Sequence, residues 1–408
     1  MNFIADLHIH GRYSRGCSTN IDIESLEKWA RIKGLGVIGT GDFTHPEWLK
    51  HLKENLTEEE GILKTKTGFN FVLQTEISLI YTQDGKGRRI HNVVLAPSFE
   101  IVDIIRSMLL KRGRLDYDGR PIFKIPCPDF VEMMKNISND IEVIPAHCMT
   151  PHFSLFGDYN KFSTVEDCFQ DQTKHIHAIE TGLSADPQML SRMSQLDKYL
   201  LVSFSDCHSF WPWRIGREAT IFDLRKLNYR NLINAIRTKD GFVSTVEFWP
   251  EEGKYHFSGH RACKVSLGPK ESLKLNNICP KCGTGVTVGV AQRVEELADR
   301  PEDSKRKIQN SSHFIPLSEL IAASIGKGVT TKAAWDEYNK LISKFDNEFN
   351  VLLSVPEEQL EGVTTKMISS LIIRNRQGKI KVKPGYDGIY GEIMFKDEPK
   401  QKGLGEFI

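Results

Sequence analysis

Short apolar runs alternate with amphipathic helical stretches from the first residue to about residue 250. Phe3, Ile4, Ala5 and Leu7 suit a buried first strand, and side chains alternate along a strand, so His8 and His10 point the same way. A helix follows with Ile23, Leu26, Trp29 and Ala30 on one face and Gly34 as its stop. Further strands are predicted at 37–40, 71–76, 93–96, 141–147, 178–182 and 200–208. Strands separated by helical stretches imply a parallel sheet, and so many in series imply a barrel.

Almost every one of these strands ends in a residue that can bind a metal. In a (β/α) barrel the strand ends meet at one mouth. His8, His10, Asp42, Glu76, His147, Asp206 and His208 are therefore expected to converge there. Glu180 lies close by, and His91 enters from a neighbouring loop. At the second strand either Asp42 or His45 is the candidate ligand, with Asp42 preferred because it follows the strand directly. Imidazoles and carboxylates together suit two or three divalent ions, Zn, Mn or Mg. Two such cations about 3.5–4 Å apart polarise a water for in-line attack on phosphorus. Asp206, His208, His147 and Glu76 are the residues assigned to catalysis.

The pattern changes near residue 251. Cys279-Pro280-Lys281-Cys282-Gly283 is a zinc knuckle, and His260-x-x-Cys263 supplies the other half of a tetrahedral set, with His256 in reserve as the fourth ligand. A closed four-ligand site stabilises a module and performs no chemistry. Residues 286–290 read as a strand, 293–300 as a short helix closed by Pro301, and 304–307 as a polar connector. Helices are predicted at 318–326, 331–350 and 364–375, and a hairpin or extended arm at the end. The expected organisation is residues 1–250 as a metal-dependent phosphoesterase barrel, 251–300 as a zinc-binding module and 301–408 as a helical, basic region.

Composition adds little to this. The 408 residues carry a net charge of +1, so a polyanion must be met by a local patch. Residues 363–402 hold nine Lys or Arg against four Asp or Glu, interleaved with Tyr386 and Tyr390, which favours a nucleic-acid surface. Lys86, Arg88 and Arg89 fall on a glycine-rich segment before His91 and are candidate phosphate contacts. Arg12, Tyr13 and Arg15 follow the first His pair. Trp213 and Arg214, just after His208, form either rim packing or a stacking wall for a base. The start has no basic n-region, and no window approaches about 18 consecutive apolar residues, so a cytoplasmic protein without a membrane span is expected. Eight cysteines in that setting read as thiols and metal ligands rather than disulfides.

Asp6-x-His8-x-His10, Gly41-Asp42, Thr75-Glu76, the His91 loop, Pro145-Ala146-His147 and Ser205-Asp206-x-His208 together resemble the polymerase and histidinol phosphatase (PHP) domain. That resemblance implies a distorted (β/α)7 barrel with a di- or trinuclear phosphoesterase site. The chain departs from it at Arg15-Gly16, where many members carry an Asp or His, and at Thr40-Gly41-Asp42, where many read Thr-Asp-His. With the zinc motif, Arg293-Val294-x-x-Leu297-Ala298-Asp299-Arg300-Pro301 and Pro384-Gly385-Tyr386-Asp387-Gly388-x-Tyr390-Gly391, the resemblance extends to the endonuclease Q family over nearly the whole chain. It implies a DNA repair endonuclease that cuts 5′ to deoxyuracil, deoxyinosine or an abasic site, with DNA bearing such lesions as its partner. A histidinol-phosphatase-like enzyme and a non-catalytic DNA-binding scaffold are the alternative readings.

Overall fold

The computed structural model describes residues 1–302 and 308–394. The fold is mixed α/β around a central sheet. The first strand, Asn2–Asp6, runs parallel to Val37–Gly39, which in turn runs parallel to Asn70–Gln83. From there the expected all-parallel order fails. Asn70–Gln83 and Lys86–Ala96 form one long antiparallel hairpin turned at Asp84-Gly85, and Lys86–Ala96 pairs antiparallel with Glu142–Pro145. On the other side, Asn2–Asp6 pairs antiparallel with Ala219–Asp223, and that strand with Phe242–Glu247. The two strands are buried over most of their length, and a two-residue turn lets them pair without a crossover helix.

Two short strands, Ala178–Glu180 and Leu200–Val202, form a separate parallel pair. The Cys148 N–H donates to Glu180 O, Ser203 N–H to Thr220 Oγ1, and Ile9 bridges to Cys207. One buried apolar cluster takes Ala5, Val37, Val72, Val93, Ile144, Ala178, Leu200 and Phe222 from successive strands. Leu232, Ile233 and Ile236 of the helix Tyr229–Thr238 complete it. The helix Ile23–Lys33 is capped by Asp22 at one end and by Gly34, at φ 98°, at the other.

Beyond residue 250 come the hairpin Ser258–His260/Val265–Leu267 and the helices Pro269–Lys274 and Val290–Leu297. Residues 286–289 are not a strand; Thr287 makes only an isolated bridge to Gly259. The helices Leu317–Ser324, Lys332–Phe345, Glu348–Leu353, Glu357–Glu361 and Lys366–Arg376 follow, then the terminal hairpin Lys381–Lys383/Glu392–Met394. This C-terminal part is not a separate body. Ser311–His313 joins the central sheet beside Phe242–Glu247. The Lys33 ammonium, buried, contacts Glu348 at 2.7 Å and donates to Pro212 O at 2.8 Å. Tyr338 Oη and the Leu317 N–H donate to the same Glu348 carboxylate, at 2.8 and 3.0 Å. No helix among the described residues is long and apolar enough to cross a membrane.

Removing one partner of a buried, hydrogen-bonded ion pair leaves the other charge without compensation. Lys33→Met is expected to lower unfolding stability by about 3–5 kcal/mol in urea titrations. A loss below about 1 kcal/mol would mean that solvent reaches Glu348.

Candidate metal centre

Glu76 sits in the middle of the strand Asn70–Gln83 rather than at its end, and His91 in the middle of Lys86–Ala96 rather than on a loop. The hairpin register pairs Glu76 with Val93 and Ser78 with His91, so the two side chains meet on one face. His8 and His10 follow the first strand. His147 and Asp206 occupy sharp turns after their strands, at φ 31° and 47°, a backbone region non-glycine residues seldom enter. The His147 turn is held by Glu180 Oε2, which accepts its N–H at 2.7 Å. Gly182 passes so close that a Cβ there would lie 2.5 Å from His147 Cβ.

The ligand atoms form two groups that share one carboxylate. His8, His10, Glu76 and Asp206 each bring one atom within 4.8 Å of the others, and so do Glu76, His91 and His147. His10 Nε2 lies 3.0 Å from Asp206 Oδ1 and 3.4 Å from Glu76 Oε2. Glu76 Oε1 lies 2.8 Å from His91 Nδ1 and 3.2 Å from His147 Nε2. His8 Nε2 is buried without a hydrogen-bond partner, 3.6 Å from Asp206 and 3.7 Å from Glu76. A buried, unpartnered imidazole nitrogen among carboxylate oxygens fits a cation ligand.

Several expected ligands instead brace the cage from behind. Asp42 Oδ1 faces His10 Nδ1 at 3.0 Å, while its Oδ2 accepts the Gly11 N–H at 2.6 Å and the Ser14 hydroxyl at 2.7 Å. Asp42, expected as a ligand, thus lies behind His10 and outside both groups in this structure. Glu180 likewise holds His8 Nδ1, at 2.9 and 3.1 Å. His45, the alternative at this strand, stacks on Tyr13, ring centroids 4.2 Å apart, and lies outside both groups. His208 stands outside both groups; its Nδ1–H donates to Asp206 O at 3.0 Å, and its ring lies 4.5 Å from that of His10. Such outer partners fix ring tautomer and direction, with Nε2 of His8 and His10 left facing inward.

Charge follows from this packing. Burial pushes His8 and His10 toward neutrality, but the carboxylates of Glu180, Asp206, Glu76 and Asp42 outweigh it and hold both well above the ordinary histidine pKa. Burial works against ionised Glu76 and Asp206 too, yet His91, Arg120, His8 and His10 hold both well below the usual carboxylate range. His91 is pushed down to about 4, chiefly by burial. The interior is thus built of ionised carboxylates that need positive charge close by.

Arg120, which the sequence pattern did not single out, meets that need in part: its Nη1 donates to Glu76 Oε2 at 3.1 Å. The loop delivering it lies flat on the site because residue 119 is glycine; a Cβ there would stand 2.4 Å from both Asp42 Oδ2 and Ser14 Oγ. The only sequence signal is the Asp118-Gly119-Arg120-Pro121 turn itself. The centre opens onto a cavity of about 830 Å³, where His147, Asp206 and His208 meet Arg214, Arg217, Tyr255 and Tyr390.

The remaining candidates divide. Lys86, Arg88 and Arg89 lie on a strand; Arg88 is buried, bonded to Asn160 O and 4.1 Å over the Phe162 ring, and Arg89 lies over Tyr159 at 4.6 Å. Arg88 is therefore a packing residue, not a phosphate contact. Trp213 stacks on Trp211 at 5.4 Å and meets Trp335 at 5.8 Å, so it packs the junction with the C-terminal helices instead of walling a base site. Arg12 lies 3.8 Å from Asp22, and Tyr13 and Arg15 are exposed. Tyr386 packs against Gly259, whereas Tyr390 is exposed at the cavity. Residues 395–402 of the basic stretch and 303–307 of the connector lie outside the described residues.

His260, Cys263, Cys279 and Cys282 bring their ligand atoms within 4.8 Å of one another, as the spacing predicts. Cys282 Sγ lies 3.2 Å from His260 Nδ1, and hydrogen bonds from Thr284 pull its thiol down to about 6. His256 is buried against Phe257, outside the quartet.

Residues 316–379 match the family model described as the MJ0043 C-terminal domain. The chain is 31% identical over 298 residues to the uncharacterized protein MJ0043 of Methanocaldococcus jannaschii, covering 71% of this chain and 36% of that protein. The chain thus spans about a third of that relative's length. Two solved structures align with all of this chain at a TM-score of 0.87. One is the lesion-specific endonuclease PfuEndoQ from Pyrococcus furiosus, 28% identical and covered to 98%. The other is endonuclease Q in complex with a 27-mer duplex substrate with an abasic lesion at the active site, 29% identical and covered to 100%.

Asp42→Ala is expected to weaken Mn binding about 10–100-fold by isothermal titration, with the far-ultraviolet spectrum unchanged. Unaltered affinity would mean His10 is oriented without it. Cys279→Ser is expected to remove zinc found by mass spectrometry and to lower the melting temperature, leaving Mn binding at the other centre in place.

Proposed function

We propose that this chain, which shares the fold of endonuclease Q from end to end, is a metal-dependent endonuclease that hydrolyses the phosphodiester 5′ to a deaminated or missing base. The observation that carries this is the buried cage divided by Glu76 and opening onto a cavity wide enough for a nucleotide. His8, His10, Glu76 and Asp206 would hold one ion, and Glu76, His91 and His147 another. When bound, such ions activate water and neutralise phosphate charge. The strand series around one core supports a PHP-type barrel, with residues 251–300 as a module closed by structural zinc and 301–408 as a helical, basic region.

The chain's own residues contribute orientation and charge. Asp42 and Glu180 fix the rings of His10 and His8. His208 donates through Nδ1, so its Nε2 carries a lone pair able to accept a proton near the scissile group. Arg120 is placed to meet a non-bridging phosphate oxygen once Glu76 is neutralised by other cations. Arg214 and Arg217 at the cavity supply further positive charge toward a DNA backbone.

The test is a 5′-labelled duplex carrying one deoxyuracil, deoxyinosine or abasic site, incubated with Mg or Mn. A nick on the 5′ side of the lesion is expected. Release of phosphate from small monoesters alone would support a phosphatase, and binding without turnover a scaffold. Asp206→Asn is expected to slow nicking by on the order of 10²-fold or more with DNA affinity and melting temperature retained; a variant that unfolds would mark Asp206 as structural.

A further inference from the structure

Asp6 closes the first strand, Asn2–Asp6, and is fully buried, yet it belongs to neither ligand group. Its carboxylate is spent on the segment that follows Leu200–Val202. Oδ1 accepts the Ser205 N–H at 2.9 Å, while Oδ2 accepts the Ser205 hydroxyl at 2.6 Å and the Gly216 N–H at 2.8 Å. Ser205 and Gly216 bound the loop that carries Asp206 and His208. One side chain therefore gathers both feet of that loop, from a position 199 residues before Ser205. The crest of the loop is held elsewhere. Lys33 Nζ donates to Pro212 O at 2.8 Å, and Trp211 and Trp213 pack on Trp335 of the helix Lys332–Phe345. Between feet and crest, the His10 N–H donates to Cys207 O at 3.0 Å and the Ser18 N–H to His208 O at 3.2 Å. Arg217 Nη2 adds a longer bond to Ser205 O, at 3.3 Å.

We propose that Asp6 is a positioning residue: by gathering Ser205 and Gly216 it sets Asp206 at the distance from His8 and His10 at which the three can share a cation. The inference rests on the endonuclease reading above for the reaction it serves. Asp206 needs such a hold, because it stands at φ 47°, a conformation that persists only where surrounding contacts impose it. The acceptors for the loop and the imidazoles facing Asp206 belong to one stretch of backbone, residues 6–10, so a shift of either is felt by both. A carboxylate suits the task. It offers acceptors alone to three donors, whereas an amide of the same shape would turn a donor toward at least one of them. The group of Glu76, His91 and His147 has no member on this loop, so the Asp6 bonds bear on one ion and not on the other.

The test is a Mn titration of the full chain followed by electron paramagnetic resonance, in which the wild type is expected to hold at least two ions at the centre. In Asp6→Asn the affinity for one Mn is expected to fall about 10–100-fold, while the second Mn and the zinc content are retained. Amide hydrogen exchange in the metal-free protein is expected to quicken at residues 205–216 and to stay unchanged in the helix Tyr229–Thr238. On an abasic duplex, kcat is expected to fall about 10–100-fold with KM little altered. Ser205→Ala removes one of the three bonds and is expected to weaken the same ion by less. Unaltered Mn affinity, equal weakening of both ions or faster exchange along the whole chain overturns the proposal. Should Asp6→Asn fail to fold, Ser205→Ala decides by the same criteria. A wild type that holds two Mn yet cuts no lesion-bearing duplex overturns the endonuclease reading, and the Mn titration still judges Asp6. A wild type that holds fewer than two overturns the proposal together with the metal centre.

Discussion

A single buried carboxylate, that of Glu76, governs the arrangement of the reaction centre. It presents one oxygen to His10 and Arg120 and the other to His91 and His147. An ionised group fully removed from water persists only among compensating charges and donors. The surrounding imidazoles are fixed from outside by Asp42, Glu180 and Thr150, so the interior stays aimed at Glu76. The long hairpin sets the positions: Glu76 stands opposite Val93, and a slip of one residue between the strands would leave Glu76 and His91 on opposite faces of the sheet.

What the residue pattern reveals follows from how local each signal is. His8-x-His10 is legible because alternation along a strand needs no tertiary knowledge. The Cys279-x-x-Cys282 knuckle is legible because a tetrahedral ion imposes its own spacing. Glu76 and His91 were found as polar residues near apolar runs, but their mid-strand placement was not visible, since a long antiparallel hairpin and two shorter parallel strands share one pattern. Asp42 has the chemistry of a ligand, but the Gly11 N–H and the Ser14 hydroxyl, both brought from the first loop, engage its Oδ2 while its Oδ1 faces His10 Nδ1. Arg120 had no local signal beyond the Asp118-Gly119-Arg120-Pro121 turn, because its partner lies 44 residues earlier in the chain. Arg88 looked like a phosphate contact by composition, yet the Phe162 ring and Asn160 O claim it.

The C-terminal helices are fastened to the sheet by three different kinds of force. Ser311–His313 adds backbone hydrogen bonds alongside Thr245, Val246 and Glu247 at the edge of Phe242–Glu247. Lys33 and Glu348 add a buried ionic tie that also gathers Tyr338 and Leu317. Trp29, Trp211, Trp213 and Trp335 add an aromatic seam, with ring centroids 5.4–5.8 Å apart. Each of the three ties spans the same junction.

The terminal hairpin gives the cavity an unusual order of construction. Tyr390, Gly391 and Ile393 form part of its wall, and Gly385 and Gly391 hydrogen-bond back to Glu251 and Glu252. During synthesis, every residue of the ion-binding cage leaves the ribosome long before that wall exists. A nascent chain can therefore hold every residue of the cage while lacking this part of the cavity wall, which arrives only with residues 390–393.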